Sequence, residues 1–297
     1  MSEITLNSVK LSNGETYGYR KSGEGNKVLV LVHGNMSSSK HWDLVMENLP
    51  SDYTTYAIDM RGFGVSSYNT PINSLKDLSE DLKLFVDAIG LKNFYLAGWS
   101  TGGGVAMHFS IDYPEHVEKL ILVESVGIKG YPIFKKDVNG QPIIGEFLNT
   151  KEEIAKDPIQ VVPILSAYEN KDRNMLRATW DALIYVFGKP EEERYEAYID
   201  EMLKQRNLVD IDYSLVHFNI SDEHNGVVEG SGGVHKIKAP TLVIQGKEDI
   251  VVPMNMGIGI AEGIGEKARL ELLDNGGHSP MTDDLDRFMN LILDFMN

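Results

Sequence analysis

Residues 95–109 read YLAGWSTGGGVAMHF, with one serine, Ser100, set among Gly98, Gly102, Gly103 and Gly104. Glycine is unfavourable to order and packs no side chain, so its density here demands a reason. The apolar run before the serine predicts a buried strand, and the segment after it predicts a helix. A chain that turns sharply from strand to helix crowds the positions two before and two after its apex, and Gly98 and Gly102 hold those positions. Gly103 and Gly104 suit close packing of the following helix. The G-x-S-x-G spacing thus predicts an elbow with Ser100 at its apex, strained in backbone and projecting its hydroxyl beyond the sheet edge. The N-terminus of the helix faces it, with free amides, Thr101 N–H among them, suited to developing negative charge. A phosphate cradle does not fit, because no G-x-x-x-x-G-K-[ST] lysine is present and the glycines do not form G-x-G-x-x-G.

Outward from the elbow, short continuous apolar runs recur at 27–34, 54–62, 93–100, 119–125, 239–246 and 268–277. Such runs predict strands buried on both faces, as in parallel sheets. Helical spacing of Leu75, Leu78, Leu82, Phe85, Val86 and Ile89 separates two of them, and strand alternating with helix predicts an open α/β sheet. Before the first run, residues 4–23 predict a β-hairpin turning at Asn13-Gly14, a pair favoured in type I′ turns. After Ser125 the rhythm stops for about 110 residues, and helices are predicted around 151–169, 172–187 and 190–206. Residues 127–236 are therefore expected to form a helical cap inserted after the sixth strand, over the carboxyl edge of a core made of residues 1–126 and 237–297.

A serine hydroxyl is a poor nucleophile until an imidazole takes its proton and an acid holds that imidazole in place. His278, in LLDNGGHSP after the last strand run, stands where it can reach Ser100. Of the eight histidines, His33 suits a structural hydrogen bond and the other six have no companion motif. For the acid, Asp249 in VIQGKEDIVVP follows a strand end and is preferred, while Glu124 at the end of LILVES is a rival from a neighbouring strand end.

The formal net charge of −16, from 44 acidic and 28 basic side chains, argues against nucleic acid and anionic membrane surfaces as partners. With no cysteine, thiolate nucleophiles, disulfides and cysteine-ligated metals are excluded. No secretory signal pattern and no run long enough for a membrane span occur, so a cytoplasmic enzyme or binding protein is the default expectation.

These features together resemble the α/β-hydrolase superfamily, in its serine hydrolase branch, with the chain order Ser100, Asp249, His278. HGNMSSSKHW resembles the family's oxyanion loop, and YAIDMRGFGVSS its D-x-R-G-x-G-x-S stretch. The resemblance implies an α/β-hydrolase fold with a mostly parallel central sheet flanked by helices. It also implies that the backbone amide of Asn35, like that of Thr101, stabilises an oxyanion, with no metal or organic cofactor. The implied function is acyl transfer to water from a small-molecule ester or lactone. A carbon–carbon bond hydrolase or perhydrolase-like relative would keep the same triad, and a non-catalytic ligand receptor could retain it. A serine at the elbow argues against branches that attack through aspartate. Trp99, Trp180 and Tyr185 are candidate substrate-binding residues, with Tyr168, Phe187, Met254 and Met256 as further candidates for the pocket wall.

Overall fold

The computed structural model describes residues 3–297. Its strands are β1 (Thr5–Lys10), β2 (Thr16–Ser22), β3 (Lys27–Val32), β4 (Tyr53–Ile58), β5 (Phe94–Trp99), β6 (Val117–Val123), β7 (Phe134–Lys136), β8 (Pro142–Phe147), β9 (Thr241–Gly246) and β10 (Ala268–Leu273). Eight of them form one sheet in the order β1-β2-β4-β3-β5-β6-β9-β10. The pairings from β4 to β10 are parallel, and only those of β2, with β1 on one side and β4 on the other, are antiparallel. This is the doubly buried sheet that the apolar runs predict. In β3, Leu29 and Leu31 join one apolar cluster and Val30 and Val32 the other, so alternate residues supply the two faces.

The helices are α1 (Asp43–Asn48), α2 (Leu75–Ile89), α3 (Thr101–Asp112), α4 (Lys151–Ile154), α5 (Val162–Asn170), α6 (Arg173–Leu183), α7 (Glu192–Met202), α8 (Leu208–Val216), α9 (Met254–Ile264), α10 (Pro280–Asp283) and α11 (Leu285–Met296). Helix α2 starts at a reciprocal Ser74–Asp77 capping box and stops at Gly90, whose φ of 77° is left-handed. None of the helices is long and apolar enough to cross a membrane among the described residues.

Three local expectations are corrected. The β1–β2 connection is a five-residue loop rather than a two-residue type I′ turn, because Lys10 pairs with Thr16 and only Gly14 has positive φ. Its geometry is set by Leu11 N donating to Glu15 O at 2.8 Å and Gly14 N to Leu11 O at 3.1 Å. The helix expected at 151–169 is two helices, α4 and α5. Pro158 disfavours helical geometry at Asp157, whose Oδ1 instead accepts from the amides of Ile159 and Gln160. The segment between β6 and β9 is also not wholly helical, since β7 and β8 pair antiparallel across a turn at Asn139-Gly140.

That segment adds α8, which the sequence reading did not separate, and it has no core of its own. A single cluster of buried side chains runs from Leu31, Trp42 and Trp99 of the sheet side to Ile164, Trp180 and Tyr198 of the segment. The carboxyl ends of β3, β5, β6, β9 and β10 open beneath it, where open α/β sheets bind ligands.

Candidate active site

Ser100 sits between β5 and α3 with φ 55° and ψ −121°, a conformation that L-residues rarely adopt. Such a residue stores roughly 1–3 kcal/mol and persists only where its surroundings hold it. Here its N–H donates to Val123 O at 2.9 Å, and its carbonyl accepts from Gly103 N at 3.0 Å and Val126 N at 3.2 Å. A side chain at Gly98 would strike the Gly102 carbonyl, and one at Gly102 the carbonyls of Val32 and His33. Gly103 makes room for Ser125, and Gly104 for Leu75 and Val126. The first pair permits the bend, and the second lets α3 approach its neighbours.

His278 follows β10, and its Nδ1 lies 2.7 Å from Asp249 Oδ2. With Asp249 ionised, Nδ1 carries the proton and Nε2 is left as a base. The other Asp249 oxygen accepts from the amides of Val251 and Val252 at 2.8 and 2.9 Å. Burial alone would raise the Asp249 carboxyl, but the adjacent His278 and the Val252 amide hold it below the usual carboxylate range. Trp99 Nε1 donates to His278 O at 2.8 Å, tying the imidazole loop to the residue beside Ser100. Ser100 and His278 line one cavity, and no hydrogen bond joins them. Such contacts often close only on substrate binding.

Glu124 occupies the end of β6 with a φ of 42° and is fully buried. Its oxygens accept from Gly246 N and Gln245 Nε2, each at 2.7 Å, and it lies within hydrogen-bonding reach of Asp249 rather than of His278. Burial and the Asp249 charge push this carboxyl well above its ordinary range.

At the end of β3, His33 Nδ1 donates to Gly34 O at 2.7 Å and its Nε2 accepts from Met60 N at 3.1 Å. Burial pushes this imidazole down to about 4, so it is a neutral brace for the loop. The Asn35 and Thr101 amides donate to no protein acceptor among the described residues. Both polar atoms of the Asn35 side chain are engaged. Its Oδ1 accepts from Met36 N and Gln205 Nε2, and its Nδ2 donates to Asp212 Oδ1 at 3.1 Å.

The cavity holds about 600 Å³ and is lined mainly by apolar side chains, with Ser100, Asn35, Thr101 and His278 also on its wall. Trp99 and Trp180 line it, as the sequence suggests. Tyr185 does not, because it is buried behind Trp180 at 5.2 Å between ring centres and also packs on Tyr195. Tyr168, Phe187, Met254 and Met256 also lie off its wall. No cluster of three or more metal-ligating side chains occurs among the described residues.

A family model described as the alpha/beta hydrolase fold matches residues 27–285. The chain belongs to the α/β hydrolase fold family. A curated relative, the 2-hydroxy-6-oxononadienedioate/2-hydroxy-6-oxononatrienedioate hydrolase of Paraburkholderia phymatum, is 27% identical over 94% of this chain and 90% of its own length. Among solved structures, an esterase from Exiguobacterium antarcticum superposes with a TM-score of 0.73 at 20% identity, covering 98% of this chain and 99% of that one. A meta-cleavage product hydrolase, CumD, superposes with a TM-score of 0.65 at 22% identity, covering 98% and 97%. At those identities the two structures speak for the fold alone.

Within this α/β hydrolase, sequence reasoning missed three residues of the site. Tyr131 lines the cavity within electrostatic reach of both Asp249 and Asp212. Asp283 accepts from Gly277 N at 2.8 Å and Gly188 N at 3.2 Å, joining the His278 loop to the segment above the sheet. Asp212 is the third, and its signal was present: in α8 it falls on the same helical face as Leu208 and Leu215, a carboxyl within an apolar stripe.

Proposed function

We propose that this hydrolase cleaves a carboxylic ester or lactone through an acyl-enzyme on Ser100. The observation that carries the reading is the His278–Asp249 pair at 2.7 Å, which opens onto the same cavity as the strained Ser100. In the proposed cycle, His278 Nε2 removes the Ser100 proton as Oγ attacks the scissile carbonyl, and Asp249 stabilises the imidazolium. The Asn35 and Thr101 amides receive the oxyanion, each worth about 3 kcal/mol in a site of this kind. His278 then protonates the leaving group, and water enters by the same relay to release the acid. The segment between β6 and β9 acts as the cap that keeps this chemistry away from bulk water.

A carbon–carbon bond hydrolase is the second reading, favoured by the named activity of the Paraburkholderia relative. That relative's dienedioate substrate carries two carboxylates. The cavity here supplies no free lysine or arginine among the described residues: Lys136 is paired with Asp157 at 2.8 Å, and Asp212 adds a carboxyl to the same wall. This charge balance supports an uncharged substrate. Purified protein is expected to turn over neutral esters or lactones of graded acyl length, with activity lost in Ser100→Ala and a fluorophosphonate labelling Ser100 alone. Preferential cleavage of a 2-hydroxy-6-oxo-dienedioate would reverse the order of the two readings.

A further inference from the structure

Asp212 stands on the wall of the substrate cavity, and nothing in the proposed acyl transfer uses it. It is 9% exposed, and one of its oxygens accepts from Asn35 Nδ2 at 3.1 Å. The other receives no hydrogen bond from protein. A carboxyl desolvated among apolar neighbours is unfavourable unless its lone pairs are met by donors. An ordinary core would place leucine here, matching Leu208 and Leu215 on the same face of α8. Asp212 lines the same cavity as Ser100.

The position relative to the chemistry is set through Asn35. Its backbone amide is the proposed oxyanion donor, and its side chain is the one that holds Asp212. A group accepted by Asp212 is therefore only a few bonds from the carbonyl under attack. Gln205 locks the arrangement, donating to Asn35 Oδ1 at 2.7 Å while accepting from Tyr168 Oη at 2.9 Å. The remaining groups that influence Asp212 are Tyr131, Tyr168 and the Asp157 carboxylate. None of them donates a hydrogen bond to it.

We propose that Asp212 is a specificity-determining residue that accepts a hydrogen bond from a hydroxyl or amide N–H borne by the acyl part of the substrate close to its scissile carbonyl. The preferred substrates are then uncharged hydroxy- or amido-acyl esters or lactones. This rests on the ester or lactone reading and narrows it. A site built around a buried polar group rejects the analogue that leaves the group unpaired, and a hydrogen bond to such an acceptor corresponds to about tenfold or more in kcat/KM.

The test compares p-nitrophenyl butyrate with its 2-hydroxy and 3-hydroxy counterparts, each rate divided by that of spontaneous hydrolysis. Wild-type protein is expected to favour at least one hydroxy ester by about tenfold or more. Asp212→Leu, which completes the apolar stripe, should bring that ratio to about one, and Asp212→Asn, a neutral acceptor of the same shape, should keep a reduced preference. Turnover of all three esters with no preference in the wild type, or a preference unchanged in Asp212→Leu, overturns the assignment of Asp212 alone. Absence of any Ser100-dependent ester turnover overturns the ester reading and this proposal with it.

Discussion

Glu124 lies directly behind Asp249 in a buried carboxyl pair, and only Asp249 of the two meets the His278 imidazole. Two carboxylates cannot both ionise cheaply at such range, so the proton resides on Glu124, which burial and its neighbour's charge already push upward. Asp249→Asn should lower kcat/KM by about 10³- to 10⁴-fold, because the wrong imidazole tautomer is then favoured. Glu124→Gln retains a donor toward Asp249, and its loss should stay within about tenfold. Steady-state kinetics of the two variants check this, and the reverse ranking would make Glu124 the acid.

Ser100 is held at positive φ, which glycine tolerates and serine does not. Ser100→Gly should abolish turnover and yet raise stability by about 1 kcal/mol, the relief of strain being partly offset by a freer unfolded chain. Gly98→Ala should do the opposite to the fold, destabilising it by about 2–4 kcal/mol through the clash with the Gly102 carbonyl. Urea unfolding of the three proteins measures both effects, and a Ser100→Gly variant less stable than wild type would contradict the strain.

The Asp212 carboxyl is raised to about 7, chiefly by burial and then by the Asp157 charge, against the Asn35 hydrogen bond. An acid raised in the folded state binds its proton more tightly there than in the unfolded chain. Its ionisation therefore destabilises the fold, with the penalty absent below about pH 4 and fully developed above about pH 7. Asp212→Asn should gain stability relative to wild type across that window, by roughly 2–4 kcal/mol at its upper end. Unfolding free energies at pH 4.5 and pH 8, offset against the variant's loss or gain at the lower pH, report the difference; a gap that does not widen would show that Asp212 is not buried as described.

Trp180 lines the cavity and Tyr185 supports it from behind. Trp180→Leu should shift the optimum toward longer or bulkier acyl groups, while Tyr185→Leu should lower stability with a smaller change in the chain-length profile. Rates over a series of p-nitrophenyl esters from acetate to octanoate distinguish the two. Identical shifts in both variants would mean that Tyr185 contacts substrate after all.

Much of this was legible in the sequence, and unevenly so. The parallel sheet announced itself because strands buried on both faces must be apolar throughout, and β9 is buried at every position. The elbow was readable because its glycines answer steric contacts within a few residues of one another. Asp249 and Glu124 both end strands, and no local pattern says which carboxyl meets an imidazole 29 residues after the first of them; that depends on the lateral order of β6, β9 and β10. The β7–β8 hairpin was hidden because most of its residues are exposed and carry no burial pattern. Tyr185 was misread because the helix expected over 172–187 stops at Leu183, which leaves Tyr185 beyond its end and packed behind Trp180.

Ser100, Asp249, His278 and the Asn35 and Thr101 amides all hang from the ends of sheet strands or the turns that follow them, whereas Trp180 and Asp212 come from the stretch between β6 and β9. On the proposed function, reactivity and clientele are thus written in separable parts of the chain. On that reading, replacing the stretch between β6 and β9 would present the same triad to new substrates, and Asn35, whose side chain bonds Asp212 of that stretch while its backbone follows β3, is where such an exchange would have to be reconciled.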